Sequence, residues 1–226
     1  MHLIPIGADP PCDIDMLEAR ARHDVARPSF VVATFGFLLP HKGLLHLIRA
    51  VADLRSRHID ARVVAACALH PHPSSAEHLA ECAAEIDRLG LASAVRLVTD
   101  YLPAAEVRDL LATADVVALP YEATNESSSA ALRFVLPVGR PIVASDLPIF
   151  GDATGWIVRL PLPVGAAGLA DQLELLWVDP DARAAATASV RAYARSTSWA
   201  VVGKRTNDLY DRIMITPPRQ RRAGAG

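Results

Sequence analysis

Short apolar runs rich in Val, Ala and Leu alternate with stretches of helical period from Phe30 to Leu160, and this alternation restricts the fold more than any other feature. Phe30-Val-Val-Ala-Thr-Phe35, Ala61 to Leu69, Val95 to Thr99, Asp115 to Leu119, Ile142 to Ser145 and Trp156 to Leu160 read as strands. Apolar runs of that length without polar alternation suit strands buried on both faces. Helical patterns fill the gaps at Gly43 to His58, Ser75 to Leu89, Ala104 to Thr113 and Ser127 to Leu136. In the first of them Leu44, Leu47, Ile48, Val51 and Leu54 fall on one face. Strands separated by helices imply right-handed crossovers, so the expected fold is α/β, a single doubly wound parallel sheet of about six strands.

A short helix is expected at Asp13 to His23, before the first strand. After Pro161 the pattern is helical throughout: Gly165 to Val178, Asp181 to Arg195 and Trp199 to Ile213, with Thr197-Ser198 as the cap of the last. Residues 1–216 are expected to form one domain and residues 217–226, which carry Arg219, Arg221 and Arg222, a disordered tail.

The chain is 51% hydrophobic but only 5% aromatic, so its core must be built from Ala, Val, Leu and Ile. A net charge of −2 argues against a nucleic-acid binder held by bulk charge. Cys12, Cys67 and Cys82 show no CxxC spacing and read as reduced structural thiols of a cytosolic protein. No apolar run approaches the roughly 20 residues that span a bilayer. Met1 to Gly7 lacks the basic leader and apolar core of a signal peptide. The expected location is the cytoplasm, with peripheral attachment at the inner membrane face as the alternative.

In a doubly wound sheet, ligands bind outside the carboxyl ends of the strands. The loops of interest are therefore Gly36 to Lys42, Leu69 to Ser74, Thr99 to Ala104 and Pro120 to Ser129. Lys42 offers a point charge for a diphosphate. Ser127, Ser128 and Ser129 open a helix whose free amides, with that of Ala130, favour an anion such as phosphate. Glu126 stands at the mouth of that site, where its carboxylate either accepts hydrogen bonds from sugar hydroxyls or is simply a solvated acid at a helix start. Walker, dinucleotide-binding and nucleophile-elbow motifs are all missing. His70-Pro-His72 has no partner ligand at a recognised spacing, so no metal is expected.

The pieces in this order resemble the carboxyl-terminal domain of GT-B-fold glycosyltransferases of family 4, the group 1 family. Ile4-Pro-Ile-Gly-Ala-Asp9 is similar to the family's entry into that domain, and Phe35-Gly-Phe with His41-Lys42-Gly-Leu to its first loop and helix. Val95-Arg-Leu-Val, then Glu106 to Pro120, resembles the strand, helix and strand before the family's acidic motif. Trp199 to Tyr210 resembles the closing helix, so the resemblance covers Leu3 to about Met214.

The resemblance implies configuration-retaining transfer of a sugar from a UDP- or GDP-linked donor, with no separate cofactor, to an acceptor of unknown type. Lys42 takes the place of the lysine that holds the donor diphosphate, and Glu126 that of the first glutamate of E-x7-E, which contacts the sugar. Ser127 to Ala130 take the place of the phosphate-binding amides, and Tyr101-Leu102 that of the wall against the nucleotide base. Two positions depart from the pattern. Phe134 stands where the second glutamate grips the ribose, and Phe37 where an arginine is usual. The family's acceptor domain, which precedes this one and supplies the catalytic base, is expected to be absent from this chain or provided by a partner. A degenerate nucleotide-sugar-binding module and an unrelated phosphate-binding α/β domain are the alternatives.

Overall fold

The structure, a computed structural model, describes residues 4–25, 28–153 and 155–215. The expected tail, 217–226, lies outside the described residues. The sheet contains β1 (Phe30–Phe37), β2 (Ala61–Ala68), β3 (Val95–Val98), β4 (Val116–Leu119), β5 (Ile142–Ser145) and β6 (Val158–Leu160). Every pairing is parallel and the spatial order is β3-β2-β1-β4-β5-β6. The chain therefore winds outward from β1 in one direction, then restarts at β4 and winds outward in the other. The order reverses between β1 and β4, and the loops leaving their carboxyl ends are forced apart into a crevice.

Helices cover both faces. In chain order they are α1 (Met16–Arg22), α2 (Leu44–Ser56), α3 (Pro73–Arg88), α4 (Ala104–Leu111), α5 (Ala130–Val135), α6 (Ala166–Val178), α7 (Pro180–Ser196) and α8 (Trp199–Ile215). Alternate β1 residues feed two cores, as the two-residue strand period requires. Val31 and Ala33 join α4, α5 and α7 in one cluster. Phe30 and Val32 join α2, α3 and α6 in the other. Leu47, Ile48, Val51 and Leu54 are fully buried, so the helical face expected for α2 is the face it packs. Each contributes roughly 1.5–3 kcal/mol of burial. Burial also pushes the Cys67 and Cys82 thiols up to about 12, which leaves them unreactive. Among the described residues no helix is long and apolar enough to cross a membrane.

Several boundaries differ from expectation, each for a local reason. α1 starts at Met16, three residues later than expected, capped by Asp15, whose Oδ1 accepts the Leu17 and Glu18 amides at 2.8 and 2.9 Å. β1 continues through Gly36 and Phe37, which pair with Cys67 and Ala68, so Gly36 is a strand residue rather than the start of a loop. The helix expected to open at Ser127 begins at Ala130. Ser129 alone caps it, its Oγ accepting the Leu132 amide at 3.1 Å, while Ser127 and Ser128 form a bend outside the helix. Thr197 closes α7, its hydroxyl donating to the Tyr193 carbonyl at 2.8 Å. Of the expected Thr197-Ser198 pair it is Ser198 that directly precedes α8, its carbonyl accepting the Val202 amide. The start of α8 is also held by Ala8, which donates to Thr197 and accepts from Trp199.

α1 is tied to the middle of the sheet by charge. The Arg20 guanidinium donates to Asp115 Oδ2 at 2.7 Å and to the Thr113 carbonyl at 2.8 Å, and the same Asp115 oxygen accepts the Val31 amide at 2.8 Å. Both side chains of this pair are almost wholly buried. Removing the acid strands a desolvated cation and a strand amide, so Asp115→Ala is expected to cost about 3–5 kcal/mol in a denaturant-unfolding measurement. A loss below about 1 kcal/mol would show the pair to be dispensable.

Candidate functional site

The loops leaving β1 and β4 meet at the crevice because of one glycine. After β1 the chain makes a single 3-10 turn, Pro40–Lys42, and Gly43 adopts φ 76° to start α2. A Cβ at Gly43 would stand 1.9 Å from the Pro120 carbonyl oxygen, so only glycine permits this approach. The Glu122 amide then donates to the His41 carbonyl at 2.8 Å, and His46 Nε2 lies 2.9 Å from Glu122 Oε1. Three contacts thus join two segments some eighty positions apart.

Lys42 and Glu126 face each other as a result, with Lys42 Nζ 2.8 Å from Glu126 Oε2. The ammonium also stands 4.2 Å from the centroid of the Tyr121 ring, a cation–π distance. His41 Nε2 approaches the other Glu126 oxygen at 3.5 Å. Burial alone acts to raise the Glu126 pKa, but the Lys42 hydrogen bond and charge, followed by His41, outweigh it and hold the carboxyl below its usual range. Burial raises the Tyr121 phenol well above its ordinary value, and its buried hydroxyl makes no hydrogen bond among the described residues.

The site opens into a cleft of about 580 Å³ along the carboxyl ends of β4, β1, β2 and β3. Gly36, Lys42, Tyr101, Leu102, Glu126, Ser128, Ser129 and Ala130 all line it, and Ser127 does not. Tyr101 is an exposed ring at the outer lip, whereas Leu102 packs onto the core. Gly36, at φ 145°, places no side chain between Tyr121 and Ala131. Phe134 stacks on Phe35 with centroids 4.2 Å apart, and Phe37 meets the His70 ring edge-on at 5.1 Å. His72 caps α3 with its ring nitrogen, so the His-Pro-His run has a structural task. Among the described residues no three potential metal ligands converge. A more open hollow of about 420 Å³ beside α4 shares Leu102 with the predicted set. Its His23 and Asp109 pair there, and Arg22, outside the lining, also pairs with Asp109.

Sequence reasoning missed Gly43 as the residue that closes the two loops together, and Tyr121 as the ring beneath Lys42. Gly43 looked like an ordinary helix start, since the carbonyl it must avoid belongs to a distant segment. An aromatic directly after the Leu119-Pro120 strand end was the available signal for Tyr121.

A parallel sheet with a charged cleft at its switch point defines an α/β domain whose ligand site lies at the carboxyl ends of its strands. The sequence profile of the family described as "Glycosyl transferases group 1" matches residues 29–179. The chain belongs to that family. It is 30% identical to the D-inositol 3-phosphate glycosyltransferase of Corynebacterium glutamicum over 209 residues, 87% of this chain and 47% of that protein. The enzyme of the same name from Salinispora tropica is 32% identical over 207 residues, 85% of this chain and 40% of that one. The chain thus spans about half the length of the curated relatives it matches.

Solved structures agree on the fold. Sucrose-phosphate synthase from Thermosynechococcus elongatus superposes with a TM-score of 0.76 at 19% identity, covering 94% of this chain and 52% of that one. HepE from Anabaena, solved with UDP and glucose, gives 0.74 at 21% identity, covering 95% and 57%. The carboxyl-terminal domain of a group 1 glycosyl transferase, LpcC from Francisella tularensis, gives 0.69 at 14% identity, covering 84% of this chain and 95% of that domain.

The lowered pKa has a sign that is open to measurement. A carboxyl depressed in the folded state contributes stability above its unfolded pKa and loses it as pH falls through the folded value. The Lys42–Glu126 pair should therefore hold at neutral pH and release only below the ordinary value of 4.5. An NMR titration should place the Glu126 midpoint below 4.5 and move it upward in Lys42→Met. A midpoint unchanged by the substitution would remove the pair as the cause.

Proposed function

We propose that this chain is the donor-binding half of a group 1 glycosyltransferase, which transfers a sugar from a nucleoside diphosphate to an acceptor. The observation that carries this reading is Lys42 and Glu126 in contact at the switch point of a family-matched sheet. A fold neighbour solved with UDP and glucose supports a nucleotide-sugar ligand. In such a transfer the bond between the anomeric carbon and the diphosphate oxygen breaks, and negative charge grows on the departing diphosphate. An ammonium held in place beforehand stabilises that charge without reorganisation. Lys42, braced by Tyr121 and Glu126, is such a group.

Glu126 has a second use. Its carboxylate stays ionised and half exposed, so it is free to accept hydrogen bonds from the sugar hydroxyls. The amides of Ser128 to Ala130 line the same cleft and supply donors to phosphate oxygens. With only six residues, α5 adds a small dipole, and the ammonium carries most of the anion attraction. The acceptor and the base that activates it belong to a preceding domain or a partner chain. A second reading, nucleotide-sugar binding without transfer, is favoured by the aromatic Phe134 in the acidic motif's second position. Release of free sugar or a glycoside from a labelled donor separates the two.

Calorimetric titration of UDP and GDP tests the reading directly. Lys42→Ala should weaken binding by about 1.5–3 kcal/mol, the worth of a charge-assisted bond, and unchanged affinity would remove Lys42 from the site. Glu126→Ala should weaken the sugar conjugate more than the free nucleotide. Equal losses for both ligands would rule out a sugar contact.

A further inference from the structure

The polar side chains of the cleft sit at its two ends. Lys42, Tyr121 (its hydroxyl buried), Glu126, Ser128 and Ser129 belong to the loops after β1 and β4, and His70, Asp100 and Tyr101 to those after β2 and β3. The outermost strands of the cleft, β4 and β3, are three strand spacings apart, roughly 14 Å. Between them the sheet register draws a transverse row. Phe35 of β1 pairs with Ala66 of β2, and Ala66 pairs with Val98 of β3. All three line the cleft, and Phe134 stacks on the first of them at 4.2 Å. The middle of the cleft is thus an apolar floor. Arg108 stands over the Phe134 ring at 5.2 Å, but it is ion-paired with Asp9 and does not line the cleft.

A nucleoside diphosphate with its phosphates at Lys42 and its base toward Tyr101 must lay its pentose across that floor. Aromatic and aliphatic side chains accept no hydrogen bond from a pentose hydroxyl, so a 2′-hydroxyl placed there gives up water and gains no side-chain partner. A site that bonds a hydroxyl rejects the analogue lacking it by about 10⁴-fold or more, whereas an apolar site does not favour the hydroxyl and disfavours it by at most about 10²-fold. The geometry points to a donor class: this cleft accepts 2′-deoxynucleoside diphosphate sugars at least as well as their ribose counterparts, and Phe134 is the residue that sets this tolerance. The inference rests on the donor-binding reading above and adds the identity of the pentose.

Titration of the whole chain with UDP, 2′-deoxyuridine diphosphate and deoxythymidine diphosphate tests it. The deoxy ligands should bind within about threefold of UDP, or tighter. UDP favoured by about tenfold or more would overturn the proposal and direct attention to Asp100 as the hydroxyl's partner. Phe134→Gln, which adds an acceptor to the floor, should move the ratio toward UDP by about tenfold. A ratio that stays put in a folded Phe134→Gln protein would also overturn it. Should that variant not fold, Phe134→Leu keeps an apolar floor and should retain the wild-type ratio; a shift toward UDP there counts against the proposal. Absence of binding by every nucleotide overturns the donor-binding reading itself, an outcome distinct from a ribose preference.

Discussion

The close approach of Gly43 to the Pro120 carbonyl is the contact on which the site depends. A doubly wound sheet sends the loops after β1 and β4 toward opposite layers of helices, which by itself opens a gap. Closing that gap at one point, without a side chain between the backbones, lets Lys42 reach across it. The backbone bond from Glu122 to His41 then fixes the relative height of the two loops. Charge pairing between Lys42 and Glu126 follows from this geometry rather than creating it, since a half-exposed ion pair contributes little to holding loops together.

The site is also economical in its electrostatics. One carboxylate faces an ammonium and an imidazole, and the ammonium rests on an aromatic ring whose hydroxyl is buried. Such an arrangement keeps the cation oriented while leaving the acid ionised across the neutral range. Membership of the group 1 glycosyltransferases gives this cluster its context, and the Phe35–Phe134 stack gives it an individual character. There two stacked rings cover the floor of the cleft.

Much of this was legible in the residues. Buried strands of Val and Ala announced themselves by composition, and the helical face of α2 by spacing, because both patterns reflect burial against a sheet. Lys42, Glu126, Ser129 and Tyr101 were legible as loop residues at strand ends, since the parallel sheet directs those loops to one edge. The start of α5 was misread because three consecutive serines are equally good caps in isolation. Only the backbone conformation at Ser129 selects one of them. Gly36 was placed in a loop because glycine usually ends a strand, whereas here β2 continues to pair with it.

The sequence alone determined the class of fold and the identity of the charged groups, because periodicity and residue type are local properties that survive without knowledge of distant partners. The tertiary structure decided which of those groups meet. It selected the Lys42–Glu126 pair, put Tyr121 beneath it, left Ser127 outside the cleft and laid Phe134 on Phe35. Each of these joins segments far apart in the chain, and such a contact is set by strand order and by the space one glycine leaves open, neither of which a local pattern records.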